Sequence, residues 1–146
     1  DVWLARGLMR TCDGRIINPS DVCQWFYELQ NEYGVYAYKI GYDRFNATYL
    51  VKELEEHFGK ELCKPINQSF LGLSSYMFES KAYFKSRQIV YNDHPIFKWC
   101  LLNTLSVSDT NGNIKPYKNR NLTKRIDGYS SFLDAFVLYL DHKNDL

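Results

Sequence analysis

An apolar run that ends in an aspartate constrains this chain more than any other feature. The run from Val35 to Tyr42 is rich in β-branched and aromatic residues and almost continuously apolar, and Asp43 follows it directly. A strand that is covered on both faces has this composition, because neither face meets water. Open α/β sheets bind ligands at the carboxyl ends of their strands. We therefore predict that Asp43 lies at a functional site.

A second aspartate, Asp127, lies far downstream in the segment KRIDGYSSFLDAF. Two carboxylates brought together from distant segments repel each other, so they either shift their pKa values or hold a divalent cation. We favour the cation. Each residue also has a purely structural explanation, since Asp43 could form a turn ahead of a helix and Asp127 could be the N-cap of the last helix. These structural roles are compatible with metal binding.

Helical and strand-like segments alternate along the chain. Ser20 is the predicted N-cap of an amphipathic helix that ends at Gly34, and Asn46 is the predicted cap of a second helix that ends at Gly59. An opening pair of strands is predicted around the turn at residues 13–14. The later pattern predicts a strand at 62–66, a helix at about 74–88, a strand at 89–91, a helix at 95–102, a hairpin or mobile loop at 105–116 and a helix at 132–140. This order indicates an α/β protein.

Any affinity for nucleic acid must come from a local patch of charge. The chain has 146 residues, which fits one compact domain, and its net charge is only +1. The patch consists of basic residues in the stretch before Asp127, namely Lys115, Lys118, Arg120, Lys124 and Arg125, with no acidic residue among them. Such blocks are usually solvated surface. Because this one leads directly into Asp127, we favour contacts with nucleic-acid phosphates.

The cysteines are widely scattered at Cys12, Cys23, Cys63 and Cys100, with no close pair and no histidine at the spacing of a zinc ligand. This arrangement argues against structural zinc and favours reduced cysteines in a cytosolic setting. The sequence also lacks a bilayer-spanning apolar stretch and the basic-then-apolar plan of a signal peptide. We therefore expect a soluble, intracellular protein without a membrane partner.

Four motifs carry a resemblance to a known family. GYDRFNA, NDHPIFKWCLLNT, DTNGNIKPYKN and KRIDGYSSFLDAF, in this order and at these separations, resemble the C-terminal nuclease domain of the terminase large subunit of tailed bacteriophages. The resemblance covers nearly the whole chain and implies an α/β, RNase H-like fold with a mixed sheet flanked by helices. It also implies a metal-dependent endonuclease that cuts concatemeric phage DNA for packaging, beside a separate N-terminal ATPase domain. The implied partners are double-stranded DNA, the portal and the small terminase subunit, in the cytoplasm of the bacterial host.

The resemblance assigns roles to three aspartates. It makes Asp43 the second metal-binding acid and Asp127 the last, in a site for two Mg²⁺ or Mn²⁺ ions, which prefer carboxylate oxygens as ligands. Asp134 follows seven residues after Asp127, about 10 Å along a helix axis. We expect Asp134 to be exposed or to contact the metal ligands without binding the metal, with the alternative that it enters the site.

One part of the family pattern is missing. The family domain begins with a strand that bears the first catalytic aspartate, and neither Asp1 nor Asp13 fits that position. We therefore expect residues 1–146 to be a single nuclease domain without that strand and without the ATPase domain, which alone cuts DNA weakly or not at all. The alternative is a non-catalytic docking module of the packaging motor that binds DNA, the portal or the small terminase subunit.

Overall fold

The structure, a computed structural model, describes residues 2–45, 47–118 and 123–145. The chain divides into two compact units, residues 1–65 and residues 66–146. Its elements are α1 (Val2–Ala5), α2 (Pro19–Tyr33), β1 (Ile40–Asp43), α3 (Thr48–Phe58), β2 (Cys63–Ile66), α4 (Phe70–Lys85), α5 (Pro95–Asn103), β3 (Thr104–Ser108), β4 (Ile114–Lys118) and α6 (Asp127–His142). The predicted α/β class is confirmed. Within the described ranges the strands form two two-stranded sheets, β1 with β2 and β3 with β4.

The first unit is built around the helices α2 and α3. Pro19 begins α2, where a missing N–H costs no hydrogen bond, and Asn18 is the N-cap residue, so the predicted cap at Ser20 is wrong by two positions. Gly34 ends the helix as predicted, with a left-handed φ of 65° and its N–H bonded to the Gln30 carbonyl. The predicted cap of α3, Asn46, lies outside the described residues.

A small core joins these helices to the first sheet. Its buried residues are Cys23, Ile40, Leu54 and Cys63. Phe26 of α2 and Phe58 of α3 pack against it, with ring centroids 5.5 Å apart and ring planes at 63°. The backbone N–H of Ile40 donates to the Leu62 carbonyl at 2.8 Å, which ties β1 to the segment that leads into β2.

Two predicted strands of this unit differ from the structure. The run before Asp43 is strand only from Ile40, because Val35 and Tyr36 are 53% and 74% exposed and have no sheet partner among the described residues. The opening strand pair is wrong, since the short helix α1 covers Val2–Ala5 and bends occupy residues 13–16. A short apolar segment without a neighbouring strand has no ladder to complete, and so it stays irregular or turns into helix.

The second unit has its core between α4 and α6. Buried side chains from these helices and from the end of β2 form the core: Ile66, Leu73, Met77, Tyr129, Leu133, Val137 and Leu138. The buried Ser80 hydroxyl and the Tyr129 hydroxyl lie 3.1 Å apart, so this polar pair is satisfied inside the core. The rotation of α6 is therefore set by its apolar face and by one buried hydrogen bond.

Helix boundaries in this unit follow local capping. The Ser69 hydroxyl accepts the N–H of Gly72 at 3.0 Å, and so α4 begins four residues before the predicted residue 74. The helix predicted at 95–102 is confirmed as α5, and the terminal helix α6 begins at Asp127 instead of residue 132. The strand predicted at 89–91 is wrong, because Val90 is 81% exposed and the segment pairs with no described strand. Among the described residues, no helix is long and apolar enough to cross a membrane.

The predicted hairpin is confirmed. Strands β3 and β4 are antiparallel, and their register runs from Thr104 opposite Lys118 to Ser108 opposite Ile114. Asp109 organises the loop, because its carboxylate accepts the backbone N–H groups of Asn111 and Asn113, each at 2.9 Å, and the Asn113 side-chain amide at 2.8 Å. The side-chain amide of Asn113 holds the pKa of the Asp109 carboxyl below its ordinary value, and the two backbone N–H groups act in the same direction.

We expect the hairpin loop to lose stability in acid. Because the pKa of Asp109 is lower in the folded chain than in the unfolded chain, its contribution is fully present above the ordinary pKa of 3.8 and is lost as the pH falls through the folded value. Asp109→Asn should therefore have a lower urea midpoint at neutral pH and a smaller fall of that midpoint on acidification. Thr110→Ala, an exposed change in the same loop, should match the unchanged chain. An equal acid-induced fall in Asp109→Asn would contradict this role.

Candidate functional site

Asp43 ends β1 on the surface of the first unit. Its side chain is exposed, and one carboxylate oxygen accepts the backbone N–H of Phe45 at 3.0 Å, which forms a local turn. The expected turn role is therefore confirmed. Among the described residues no cation forms an ion pair with Asp43, and its second carboxylate oxygen has no hydrogen bond. The second carboxylate oxygen of Asp43 can therefore bind a metal ion while the first holds the turn.

Asp127 is the first residue of α6, in the second unit. The N-cap residue is Ile126, so the expectation that Asp127 caps this helix is wrong by one position. In the first turn the carboxylate still interacts favourably with the partial positive charge of the helix N-terminus. Asp127 is exposed and forms no hydrogen bond or ion pair through its carboxylate with any described residue.

Asp134 lies two turns further along α6, and its environment differs. It is partly buried, and the Gln68 side-chain amide donates to one of its carboxylate oxygens at 2.8 Å. Asp134 is therefore not exposed, whereas the alternative that it contacts the metal ligands without binding the metal stays a prediction. A carboxylate that is already held by a neutral amide is positioned by the protein, whereas Asp127 is open to solvent.

Asp43 and Asp127 each offer carboxylate oxygens that suit a hard divalent cation. Mg²⁺ and Mn²⁺ prefer carboxylate oxygens and keep several waters, so exposed carboxylates without cationic partners meet their requirements. Both residues are exposed, and neither is committed to an ion pair among the described residues. Asp43 belongs to the first unit and Asp127 to the second.

The basic patch begins on the hairpin and continues toward α6. Lys115 and Lys118 lie on β4, Lys124 and Arg125 lie in the segment before α6, and Arg120 is outside the described residues. The Asn103 side-chain amide donates to the Arg125 carbonyl at 3.4 Å, which holds this segment at the end of α5. Lys124 and Arg125 are exposed, and none of the four described residues forms an ion pair within the described ranges. Their charges are available for phosphates.

Lys115, on β4, also lies near the first turn of α6. Its ammonium group is 4.8 Å from the centroid of the Phe70 ring, a cation–π contact. Lys115 also lines a cavity of about 190 Å³ together with Gln68, Ile126 and Ser130. Since side chains alternate along a strand, Lys118 points to the opposite face of β4 from Lys115. The patch therefore presents charge on both faces of the hairpin.

The structure also brings together three residues that the sequence did not connect. Ligand atoms of Cys23, Glu53 and His57 all lie within 4.8 Å of one another in the first unit. Burial and then the charge of Glu53 raise the pKa of the Cys23 thiol. The spacing of Glu53 and His57, four residues apart on α3, is the one sequence signal that could have indicated this cluster.

Comparisons with known proteins place the chain in a family. Residues 1–143 match the family described as "Terminase large subunit, endonuclease domain". The chain is 26% identical over 129 residues to the terminase large subunit of Enterobacteria phage HK97. The aligned residues are 88% of this chain and 25% of that protein.

The structure is similar to the crystal structure of the HK97 bacteriophage large terminase, with a TM-score of 0.79 and 21% identity over 94% of this chain and 28% of that one. The predicted RNase H-like fold is confirmed by this likeness. The chain thus spans about a quarter of the length of the curated relative that it matches. Since the family match extends over nearly all of its residues, the chain belongs to the terminase large subunit endonuclease domains of bacteriophages.

Proposed function

We propose that this chain is the domain with which a phage packaging enzyme cuts concatemeric DNA, and that it does so by metal-dependent hydrolysis of phosphodiester bonds. The observation that carries the proposal is the family match over residues 1–143. In the chain that matches, exposed carboxylates that form no ion pair with any described residue lie at the end of β1 and in the first turn of α6. Both positions belong to motifs on which the sequence resemblance rests.

We infer that Asp43 and Asp127 bind Mg²⁺ or Mn²⁺. When bound, such ions would activate a water and neutralise charge on the reacting phosphate and the leaving oxygen. The chain supplies the carboxylate oxygens that would hold the ions. The Phe45 N–H orients the Asp43 carboxylate by a hydrogen bond to one of its two oxygens. Gln68 orients Asp134 by a hydrogen bond. We propose that Asp134 is a positioning residue, which does not itself bind the metal.

The basic residues have a separate role in the proposal. Phosphate contacts give affinity for DNA without reading its sequence, and exposed cations without carboxylate partners are suited to them. Among the described residues Lys124 and Arg125 meet this description, while Lys115 and Lys118 are half-buried and also lack a carboxylate partner. We assign Arg120 to the same surface from its place in the sequence. We expect the substrate to be double-stranded DNA, bound in the cytoplasm of the bacterial host.

We assign the first catalytic aspartate of the family pattern and the protein partners to a longer protein of which this chain is a part. Before β1 no described residue is in a strand, and Asp13 lies in a bend, so this segment offers no strand-borne acid. We propose that the first catalytic aspartate is carried by a strand encoded upstream of residue 1, next to an ATPase domain. The portal and the small terminase subunit would be partners of that longer protein.

We expect cleavage to require both aspartates. A chain extended upstream to include the first catalytic strand should nick plasmid DNA with Mn²⁺, while the 146-residue chain should cut it weakly or not at all. In the extended chain, Asp43→Asn and Asp127→Asn should each reduce the cleavage rate by at least about 100-fold, because each removes a metal ligand. Asp134→Asn should reduce the cleavage rate less, by about 10-fold, because Asp134 positions the metal ligands and does not bind the metal.

A matched control separates metal binding from helix electrostatics. Asp21 is an exposed acid in the first turn of α2, as Asp127 is in α6, and so Asp21→Asn should leave the cleavage rate unchanged. Equal cutting by Asp127→Asn and the unchanged extended chain would contradict the assignment. An extended chain that stays inert with Mn²⁺ would favour the docking module instead.

We expect the basic patch to set the affinity for DNA without sequence preference. The triple variant Lys118→Ala, Lys124→Ala, Arg125→Ala should bind unrelated duplexes equally weakly, and the slope of log K against log salt should become shallower by about 0.9 per lost phosphate contact. Fluorescence anisotropy over a range of salt concentrations, without added metal, measures both quantities.

The control for this triple variant must remove the same net charge elsewhere. Lys52, Lys60 and Lys143 are exposed and lie outside the patch, so their joint replacement by Ala changes net charge by the same amount. Affinity and salt slope should then stay near those of the unchanged chain. Equal weakening in the two triple variants would mean that total charge, and not this surface, holds DNA. A loss confined to one duplex sequence would equally contradict the proposed role.

A further inference from the structure

Four polar side chains meet where α2 packs on α3. Cys23 and Tyr27 are four residues apart on α2, and Glu53 and His57 are four residues apart on α3. Residues with this spacing share one face of a helix. The helices are held together by the aromatic contact between Phe26 and Phe58. Each helix therefore turns one pair of polar groups toward the other.

The distances within this group match those between ligands of one metal ion. The ligand atoms of Cys23, Glu53 and His57 lie within 4.8 Å of one another, and His57 Nε2 is 3.6 Å from a Glu53 carboxylate oxygen. In a tetrahedral site with metal–ligand bonds of about 2.0–2.3 Å, neighbouring ligand atoms are roughly 3.5 Å apart. The cluster thus needs only small side-chain movements to hold an ion.

We propose that Cys23, Glu53 and His57 form a zinc site that is separate from the nuclease ions. A thiolate with an imidazole suits zinc, whereas Mg²⁺ prefers an all-oxygen set. The Tyr27 hydroxyl lies 2.9 Å from His57 Nδ1. With the proton on Nδ1 donated to Tyr27, Nε2 is left to bind the metal, and this is the usual way in which a ligating histidine is oriented. Water completes the fourth position.

Burial explains how such a site is reached and what it does. Cys23 is 2% exposed and belongs to the core, while the side chains of His57 and Glu53 are 41% and 40% exposed. The metal therefore approaches from solvent through Glu53 and His57 and meets the thiolate at the inner side. Because its ligands come from both helices, zinc fixes α2 to α3 and stabilises the folded chain by mass action. The expectation against structural zinc considered ligands close together along the chain, whereas the proposed ligands come from two helices.

Cobalt spectroscopy tests the thiolate ligand directly. Titration of the reduced 146-residue chain with Co²⁺ should give a thiolate-to-cobalt charge-transfer band in the near ultraviolet that saturates at one equivalent. Zn²⁺ should displace the cobalt, and a large excess of Mg²⁺ should not. The band should vanish in Cys23→Ala and persist in Cys12→Ser, a change of a partly exposed cysteine in the same unit. The absence of the band from the unchanged chain would overturn the proposal.

Zinc affinity, measured by competition with a chromophoric chelator, tests the other ligands. Tyr27→Phe should weaken zinc binding by about 10-fold, and His57→Gln and Glu53→Gln should each weaken it more than Tyr27→Phe does. The last two changes affect half-exposed side chains, so these variants should fold even if Cys23→Ala does not, as circular dichroism would verify. Glu56→Gln, an exposed change on the same helix, should leave the affinity unchanged. Unchanged affinity in His57→Gln would refute the site.

Discussion

The packing of α6 against α4 is the interaction on which the candidate site of the second unit depends. Leu133 is 1% exposed and Tyr129 is 5% exposed, and the Tyr129 hydroxyl lies 3.1 Å from the buried Ser80 hydroxyl. Burying one such side chain contributes about 1.5–3 kcal/mol, whereas a first-turn carboxylate contributes only about 0.3–1 kcal/mol through the helix dipole. The core therefore decides where α6 begins and how it is rotated. Asp127 is carried to its exposed position and contributes little to the fold.

The same rotation explains why the two aspartates of α6 differ. Asp134 follows the fully buried Leu133 and lies at the border of the apolar face, where Gln68 donates to it at 2.8 Å. Asp127 precedes the first buried residue of the helix, Tyr129, and stays in solvent. The helix thus supplies one open acid and one positioned acid.

Most elements could be predicted from periodicity, because amphipathic helices and a turn-rich hairpin leave strong local signals. Helices α2, α3 and α5 and the β3–β4 hairpin follow those signals closely. The residues before β1 and the segment at 89–91 are apolar enough to be read as strands, yet they have no described partner strand. Strand formation depends on such a partner, which composition cannot reveal. The start of α4 depended on one hydroxyl, that of Ser69.

The candidate site was predictable where a motif marks it and not where tertiary packing creates it. Asp43 ends β1 and Asp127 begins α6, which agrees with the sequence pattern around each residue. The bond between Gln68 and Asp134 joins residues 66 positions apart, and no local pattern indicates it. The Cys23, Glu53 and His57 cluster comes from two helices whose packing is set by aromatic contacts. Sequence spacing finds metal ligands only when they lie close together along the chain.

Paramagnetic broadening measures most directly whether Asp43 and Asp127 are metal ligands. Substoichiometric Mn²⁺ should broaden the amide resonances near each residue, at 41–45 and at 127–130, since an electron spin relaxes all nuclei close to the ion. Asp43→Asn should remove the broadening at 41–45, and Asp127→Asn should remove the broadening at 127–130, because each change removes a ligand. Absence of broadening from either segment, or broadening that persists beside the substituted residue, would contradict the assignment.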